Sequence, residues 1–307
     1  MLPRKNELAA IEALVCRDVG RQTQALIDAS RGELAAAGQA LGTATGVGFI
    51  TGFYVPRGDT PAAETDGPVG TALLAAGLAA CGVPVRIAVD EPCVRAVHAA
   101  VEAAGGTGTA GKVSIDVVGV DDTAGIERVA DAWKRAGLSH AVAIERCGRS
   151  TDGRPRNMRG ADVSAWTAPL DALFLAGAWT RIGVGDGGNE IGMGRLPPGL
   201  IARTVPNGAE IACITGCDHL VVAGVSNWGA YGLMAALALV RPDWAPVLDR
   251  FLTAERDAAV TRATVDKAGA IDGVTARREA TVDGFGAEIH AALVDGLRRI
   301  AWGKSAD

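Results

Sequence analysis

Pro84-Val-Arg-Ile-Ala-Val89 is a short apolar run, and a helical pattern over Glu91 to Ala104 follows it. The same pair then recurs, as the apolar run Val113 to Val118 and the helical pattern Thr123 to Ala136. Strands that alternate with helices of about ten to fifteen residues imply right-handed crossovers and a mainly parallel sheet. Upstream, Gly46-Val-Gly-Phe-Ile-Thr-Gly52 reads as a strand running into a loop. Its GxGxxxG spacing departs from the dinucleotide fingerprint, and no helix follows at once. The loop Tyr54 to Pro68 carries Asp59, Glu64, Thr65 and Asp66, and Pro68 suits the first turn of a helix over Val69 to Cys81.

Downstream, His140-Ala-Val-Ala-Ile-Glu145 is another strand, and a helix from about Ala168 to Gly177 leads to the strand end Trp179-Thr-Arg-Ile182. Ile211 to Ile214 and His219 to Ala223 also read as strands. Gly224-Val-Ser-Asn-Trp-Gly229 is a strand-to-helix junction that opens an apolar helix, Ala230 to Val240. Helical spacing runs from Pro242 to about Ala270, and Phe285 to Ile300 forms a closing helix. Residues 7–40 form one or two helices with a break at Ser30-Arg-Gly32. The expectation is an α/β fold: a mainly parallel sheet with helices on both faces, Rossmann-like layering, and helical N-terminal and C-terminal segments. A single domain spans 1–307, with 1–40 as a helical extension and 45–300 as the core.

A hydrophobic share of 49% in 307 residues supplies a large core, filled by Ala, Val, Leu and Gly because aromatics are only 4%. A formal charge of -5 without a Lys/Arg cluster argues against a nucleic-acid partner. No apolar run has membrane-spanning length free of Gly, Pro or charge, so no membrane partner is expected. Met1-Leu-Pro-Arg-Lys-Asn-Glu-Leu8 is too polar for a secretory signal, which points to the cytoplasm. The six cysteines show no small-disulfide pattern and are expected reduced. Cys213-Ile-Thr-Gly-Cys-Asp-His219 has half of a zinc-site spacing, but a second ligand pair is absent, so buried thiols are the better reading.

The chemistry concentrates in Gly183-Val-Gly-Asp-Gly-Gly-Asn-Glu-Ile-Gly-Met-Gly194, where six of twelve residues are glycine. Such a backbone suits close approach and positive φ. A helix after Gly188 would set Asp186 and Glu190 one turn apart on one face. Glu145 to Arg159 is polar and holds Arg146, Arg149, Arg154, Arg156 and Arg159. Arg146 and Arg159 are the better anion-binding candidates among them. In an open parallel sheet, ligands bind beyond the carboxyl ends of strands. The junctions 51–66, 145–159, 185–190 and 224–228 all fall there, with acids, arginines and amides suited to a small anionic substrate and a divalent cation. GxSxG, HExxH and Walker A motifs are absent, since Gly111-Lys112 lacks the required spacing.

Asp186-Gly-Gly-Asn-Glu-Ile-Gly-Met-Gly194 resembles the signature of the D-glutamate cyclase family. Thr51-Gly-Phe-Tyr54, Glu64-Thr-Asp-Gly-Pro68, Glu145-Arg146, Asn157-Met-Arg-Gly160, Thr167-Ala-Pro-Leu-Asp171, Ser226-Asn-Trp-Gly229, Asp272-Gly-Val-Thr275 and Thr281-Val-Asp-Gly284 resemble it too. These segments run in order from about residue 45 to 290, and the first forty residues add little. The resemblance implies an α/β hydro-lyase that cyclises D-glutamate to 5-oxo-D-proline, helped by Mg²⁺ or Mn²⁺.

That reaction needs a neutral α-amine against the γ-carboxyl carbon, and proximity supplies up to roughly 7–11 kcal/mol in well-aligned cases. A carboxylate is a poor electrophile, so its charge must be neutralised and its oxygen protonated. The expected cation ligands are Glu64, Asp66, Asp186 and Glu190. Asp186 and Glu190 also join Glu145 and Asp283 as catalytic acids, with Glu145 or Asp283 carrying the proton. Asn189 and Asn227 hold substrate oxygens, Arg146 or Arg159 holds the α-carboxylate, and Thr51 and Asn157 complete the substrate-binding set. A homo-oligomer is the expected assembly. The rival readings are a metal-dependent hydrolase of a phosphorylated small molecule and a non-catalytic amino-acid-binding protein.

Overall fold

The computed structural model describes residues 4–58, 60–107 and 112–303. Asp59, counted above among the loop acids, Gly111 and Met1 to Pro3 lie outside the described residues. The strands are β1 (Val47–Thr51), β2 (Tyr54–Val55), β3 (Ala62–Ala63), β4 (Val85–Asp90), β5 (Val113–Val118), β6 (His140–Ile144), β7 (Thr180–Gly185) and β8 (His219–Val222). Six of them form one sheet in the order β5-β4-β1-β6-β7-β8, and every pair in it is parallel. β2 and β3 form a separate two-residue antiparallel ladder, which the loop composition did not announce.

Alternation within the strands assigns their side chains to two layers. Val47, Phe49, Val85, Ile87, Val142, Ile144, Ile182 and Val184 pack into one large core. Helices Pro68–Ala80, Val94–Ala104 and Ser226–Val240 contribute to that core, as do the N-terminal helix Lys5–Val15 and the closing helix Ala287–Trp302. Ile50, Ala88, Ala141 and Ala143 face the other way, against Trp133 of helix Thr123–Arg135 and Phe174 of helix Asp171–Leu175. Gly48 sits beneath the Trp133 ring, where a Cβ would lie only 2.3 Å from a ring carbon. Helices thus cover both faces, as the alternation of strands and helices implies.

Pro68–Ala80 and Ser226–Val240 are apolar all round and buried throughout. An apolar helix without a polar face belongs in the middle of a core. Its N-terminal N–H groups then need protein partners, because water cannot reach them. Each of these two helices finds its partner on the other, and that reciprocal cap lies at the functional site.

Four local expectations are corrected. Residues 7–40 hold three helices, Lys5–Val15, Gln24–Ala29 and Glu33–Leu41, instead of one or two. Ile211 to Ile214 is not a strand: Gly208–Ile211 is a short helix, after which Cys213 N donates to Gly188 O (3.1 Å) and Ile214 N to Arg149 O (3.0 Å). Four apolar residues carry no period that separates the two cases. The helix expected over 168–177 shortens to Asp171–Leu175, because Pro169 holds the chain out of helix before it. The segment after Gly188 does not turn helical. Among the described residues no helix is long and apolar enough to cross a membrane.

Candidate active site

The chain leaves β1 toward β4 and β5, then returns on the other side to build β6, β7 and β8. The crossovers therefore diverge between β1 and β6, and a crevice opens beyond their carboxyl ends. Thr51 ends β1, Glu145 follows β6, and Asp186 follows β7. The crevice deepens into a cavity of about 350 Å³ lined by apolar walls such as Phe53, Val55, Met158 and Val274, and by Arg21, Arg57, Glu64, Glu145, Asn157, Arg159, Asp186, Asn189 and Asp283. Small-molecule sites begin at about this volume and share this mix of apolar walls with a few convergent polar groups.

Two buried helix N-termini adjoin the cavity acids through Asp66, an oxygen of which lies within 4.8 Å of Asp186 and Asp283. Asp66 precedes helix Pro68–Ala80, yet its carboxylate accepts from Ser226 N (2.9 Å) and Asn227 N (2.8 Å) of the neighbouring helix. Asn227 reciprocates: its Oδ1 accepts from Gly67 N (3.0 Å) and Gly70 N (2.7 Å), and its Nδ2 donates to Thr65 O (3.2 Å). Gly67, at φ 89°, allows this approach, since a Cβ would lie 2.8 Å from both Thr51 Oγ1 and Glu145 Cβ. Both helix dipoles favour negative charge at this junction. Asn227, expected to touch substrate, is thus engaged in capping.

The glycine-rich stretch is shaped by its own acid. Glu190 folds back so that Oε1 accepts from Asp186 N (2.7 Å) and Gly187 N (2.6 Å), and Oε2 from Gly188 N (2.6 Å). This holds Asp186 and Asn189 toward the cavity, and Asn189 Nδ2 donates to Arg156 O (2.8 Å). Glu145 takes φ 44°, strained for a residue with a side chain. Its Oε2 accepts from Ser226 Oγ (2.6 Å).

The segments Asp272-Gly-Val-Thr275 and Thr281-Val-Asp-Gly284 meet on one carboxylate. Asp272 is fully buried; its Oδ1 accepts from Val274 N and Thr275 N (both 2.8 Å), and its Oδ2 from Thr281 Oγ1 and Gly284 N (both 2.7 Å). Thr65 Oγ1 donates to Thr281 O (2.8 Å), which joins this loop to the Glu64 segment. The loop presents Asp283, at φ 55°, and Val274 to the cavity.

Arg21 closes the acid group, and sequence reasoning missed it. Its Nη1 lies 2.6 Å from Asp186 Oδ1, and its Nη2 lies 2.6 Å from Asp283 Oδ2. It comes from the N-terminal segment, at a turn held by Asp18 Oδ1 on Gly20 N (3.0 Å) and Arg21 N (2.8 Å). An Asp-x-Gly-Arg turn between two helical patterns was the available signal. Arg57, also missed, donates from Nη2 to the carbonyls of Gly273 and Val274.

Arg146, by contrast, does not line the cavity. Its guanidinium is buried against Asp90 (2.6 Å) and donates to Gly52 O (2.8 Å) and Ala168 O (2.6 Å). Asn157 lines the cavity while its Oδ1 accepts from Arg159 N (3.0 Å) and Ala161 N (3.1 Å) to set the turn. Thr51 Oγ1 is buried with no hydrogen-bond partner among the described residues. Cys213 and Cys217 are free thiols, and His219 faces Glu33 (3.2 Å).

Carboxylate oxygens of Asp66, Asp186 and Asp283 lie within 4.8 Å of one another, as do those of Glu145, Asp186 and Glu190. Glu64 lines the cavity but belongs to neither group. Burial pushes the Glu145 carboxyl well above its ordinary pKa, and Asp186, Glu190, Asp66 and Glu64 add to the rise. Asp186 is raised by burial against the pull of Arg21, with Asp283, Asp66 and Glu190 adding to the rise. Glu64 and Asp66 are raised by burial and by Asp283. Burial disfavours the Arg21 charge, but Asp186 and Asp283 outweigh it and hold its pKa above the ordinary value. Such crowding leaves carboxyls that retain protons where exposed ones are ionised. An all-oxygen donor set, with Asp186 Oδ2 buried and unpartnered among the described residues, fits a hard divalent cation.

A model of the family described as D-glutamate cyclase-like, C-terminal, matches residues 11–298. The chain belongs to this family. The D-glutamate cyclase-like match begins ahead of Arg21 and runs beyond Asp283, so it spans both partners of the bridging guanidinium. A curated human protein, D-glutamate cyclase, mitochondrial, is 36% identical over 219 residues, which are 68% of this chain and 35% of that protein. The chain therefore spans about a third of the length of this relative.

Proposed function

We propose that this D-glutamate cyclase-like chain is a hydro-lyase that closes D-glutamate to 5-oxo-D-proline with loss of water. The observation that carries this reading is the Arg21-bridged acid group, whose members line the cavity and lie within the residues that match the family. The substrate arrives as an ammonium dicarboxylate. The α-nitrogen forms a bond to the γ-carboxyl carbon, and one bond from that carbon to oxygen breaks. The nitrogen gives up two protons in all, and the departing oxygen takes up two, leaving as water. Carboxyls with raised proton affinity suit both transfers. Asp186, held by Arg21, receives a proton from nitrogen, and Glu145, on Ser226, delivers one to oxygen. Arg21 offsets the charge of the γ-carboxylate as it is attacked.

A divalent cation, Mg²⁺ or Mn²⁺, would be held by Asp186 with Asp66 and Asp283 and would supply Lewis-acid charge to the γ-carboxylate oxygen. Phe53, Val55 and Met158 give the cavity apolar walls beside these polar groups.

The test is incubation of the full chain with D-glutamate or L-glutamate, with and without EDTA, following 5-oxoproline by chromatography. Product from the D form alone is expected, with loss of rate on chelation and recovery on added Mn²⁺ or Mg²⁺. An undiminished rate in EDTA sinks the cation part. Absence of product in the presence of either metal sinks the reaction. Asp186→Asn should lower turnover by at least about 10²-fold while the thermal transition is retained.

A further inference from the structure

We propose that Arg57 and Arg159 form a guanidinium fork at the solvent side of the cavity that takes the α-carboxylate of the substrate and so fixes which end of a dicarboxylate enters first. This rests on the cyclase reading and deepens it.

The two arginines come from unrelated loops. Arg159 is exposed and stands in the turn fixed by Asn157, while Arg57 is half-buried and docked on the carbonyls of Gly273 and Val274. Both line the same cavity. Neither has a carboxylate among the ion pairs of the described residues, although the inner end is crowded with acids. Like charges held together at a cavity mouth repel unless an anion lies between them. Consistent with that, burial and the Arg159 charge lower the proton affinity of Arg57, against the smaller opposing pull of Glu64 and Asp272. Guanidinium groups match a carboxylate through paired N–H donors.

The cavity therefore has apolar walls and an asymmetric charge, with the cations Arg57 and Arg159 on one side and the acids Glu145, Asp186 and Asp283 on the other. An α-amino dicarboxylate has one orientation that satisfies both ends. Its α-carboxylate meets the fork, and its ammonium and γ-carboxyl face the proton-carrying acids. The reverse orientation would leave the reacting carboxyl at the fork, away from Glu145 and Asp186.

The experiment is a cycle between enzyme and substrate. Arg57→Gln, Arg159→Gln and Arg57→Lys are compared with the wild type on D-glutamate and on its α-carboxamide, which keeps the γ-carboxyl. Wild type should lose about 10- to 100-fold in kcat/KM on the amide, the loss of charged hydrogen bonds. Arg57→Gln should show the same loss on D-glutamate, chiefly in KM, with no further loss on the amide; Arg57→Lys should recover part of it. Equal losses by Arg57→Gln on acid and amide would overturn the fork. If the wild type makes no oxoproline, the cyclase reading fails separately. Thermal stabilisation by D-glutamate against its α-amide then decides the fork: a preference for the acid that Arg57→Gln abolishes supports it, and equal stabilisation overturns it.

Discussion

Replacing Asp272 removes the carboxylate that gathers four donors of the 272–284 loop. Its carboxylate takes three backbone N–H groups and one hydroxyl, from Val274, Thr275, Gly284 and Thr281. The Thr281 hydroxyl can turn to another acceptor, but the backbone donors cannot. Each donor left without a partner costs about 1 kcal/mol where water reaches it in part. Asp272→Ala should therefore lose about 3–4 kcal/mol of stability. Asp272→Asn keeps one acceptor oxygen for Val274 and Thr275 but turns an NH₂ toward Gly284 N–H, and should lose about 2 kcal/mol. Because the same loop presents Asp283 and Val274 to the cavity and carries the carbonyls that dock Arg57, activity should fall further than stability in Asp272→Asn. Urea unfolding, followed by circular dichroism, gives the first quantity, and oxoproline formation at a temperature well below the transition gives the second. If Asp272→Asn unfolds like the wild type and turns over normally, Asp272 does not organise the loop.

The buried Arg146–Asp90 pair supports a different kind of prediction: Arg146→Met should cost about 3–5 kcal/mol by leaving Asp90 charged and unpaired, and Asp90→Leu in the same chain should restore much of it. Chemical denaturation of the single and double variants measures this, and a double variant no better than the single would refute it. Stability should also depend on pH with a definite sign. Glu64, Asp66, Glu145 and Asp186 have folded pKa values raised above their unfolded ones, so the folded state binds more protons in between. The stability these four groups contribute is then greatest at pH below the ordinary carboxylate range and falls as pH rises from that range through the raised values. The melting temperature in EDTA should accordingly be higher at mildly acidic pH than at neutral pH, and Mg²⁺ or Mn²⁺ should flatten the difference; a melting temperature that rises toward neutral pH in EDTA would contradict it.

The sheet was readable because strands such as Val85–Asp90 and helices such as Val94–Ala104 have lengths and periods that differ clearly. Ile211 to Ile214 was misread because a four-residue apolar run has no period. The site was readable where polar residues follow strand ends, as Glu145, Asp186 and Asn189 do. What periodicity cannot reveal is which atoms a side chain spends on the backbone. Arg146 and Asn227 follow the same pattern as the cavity residues, yet burial commits them to Asp90, carbonyls and helix N–H groups. Arg21 and Arg57 were missed for the opposite reason. A turn motif and a polar loop mark their neighbourhoods, but it is long-range packing that brings them beside Asp186 and Val274.

The Arg21–Asp283 pair joins two segments that lie far apart in the sequence. Closing so long a loop costs chain entropy that a local contact does not, so the pair depends on the sheet and helices that hold both segments in place. Loosening either the turn at Asp18 or the loop on Asp272 should therefore open the same acid group, although the two lie at unrelated points of the chain.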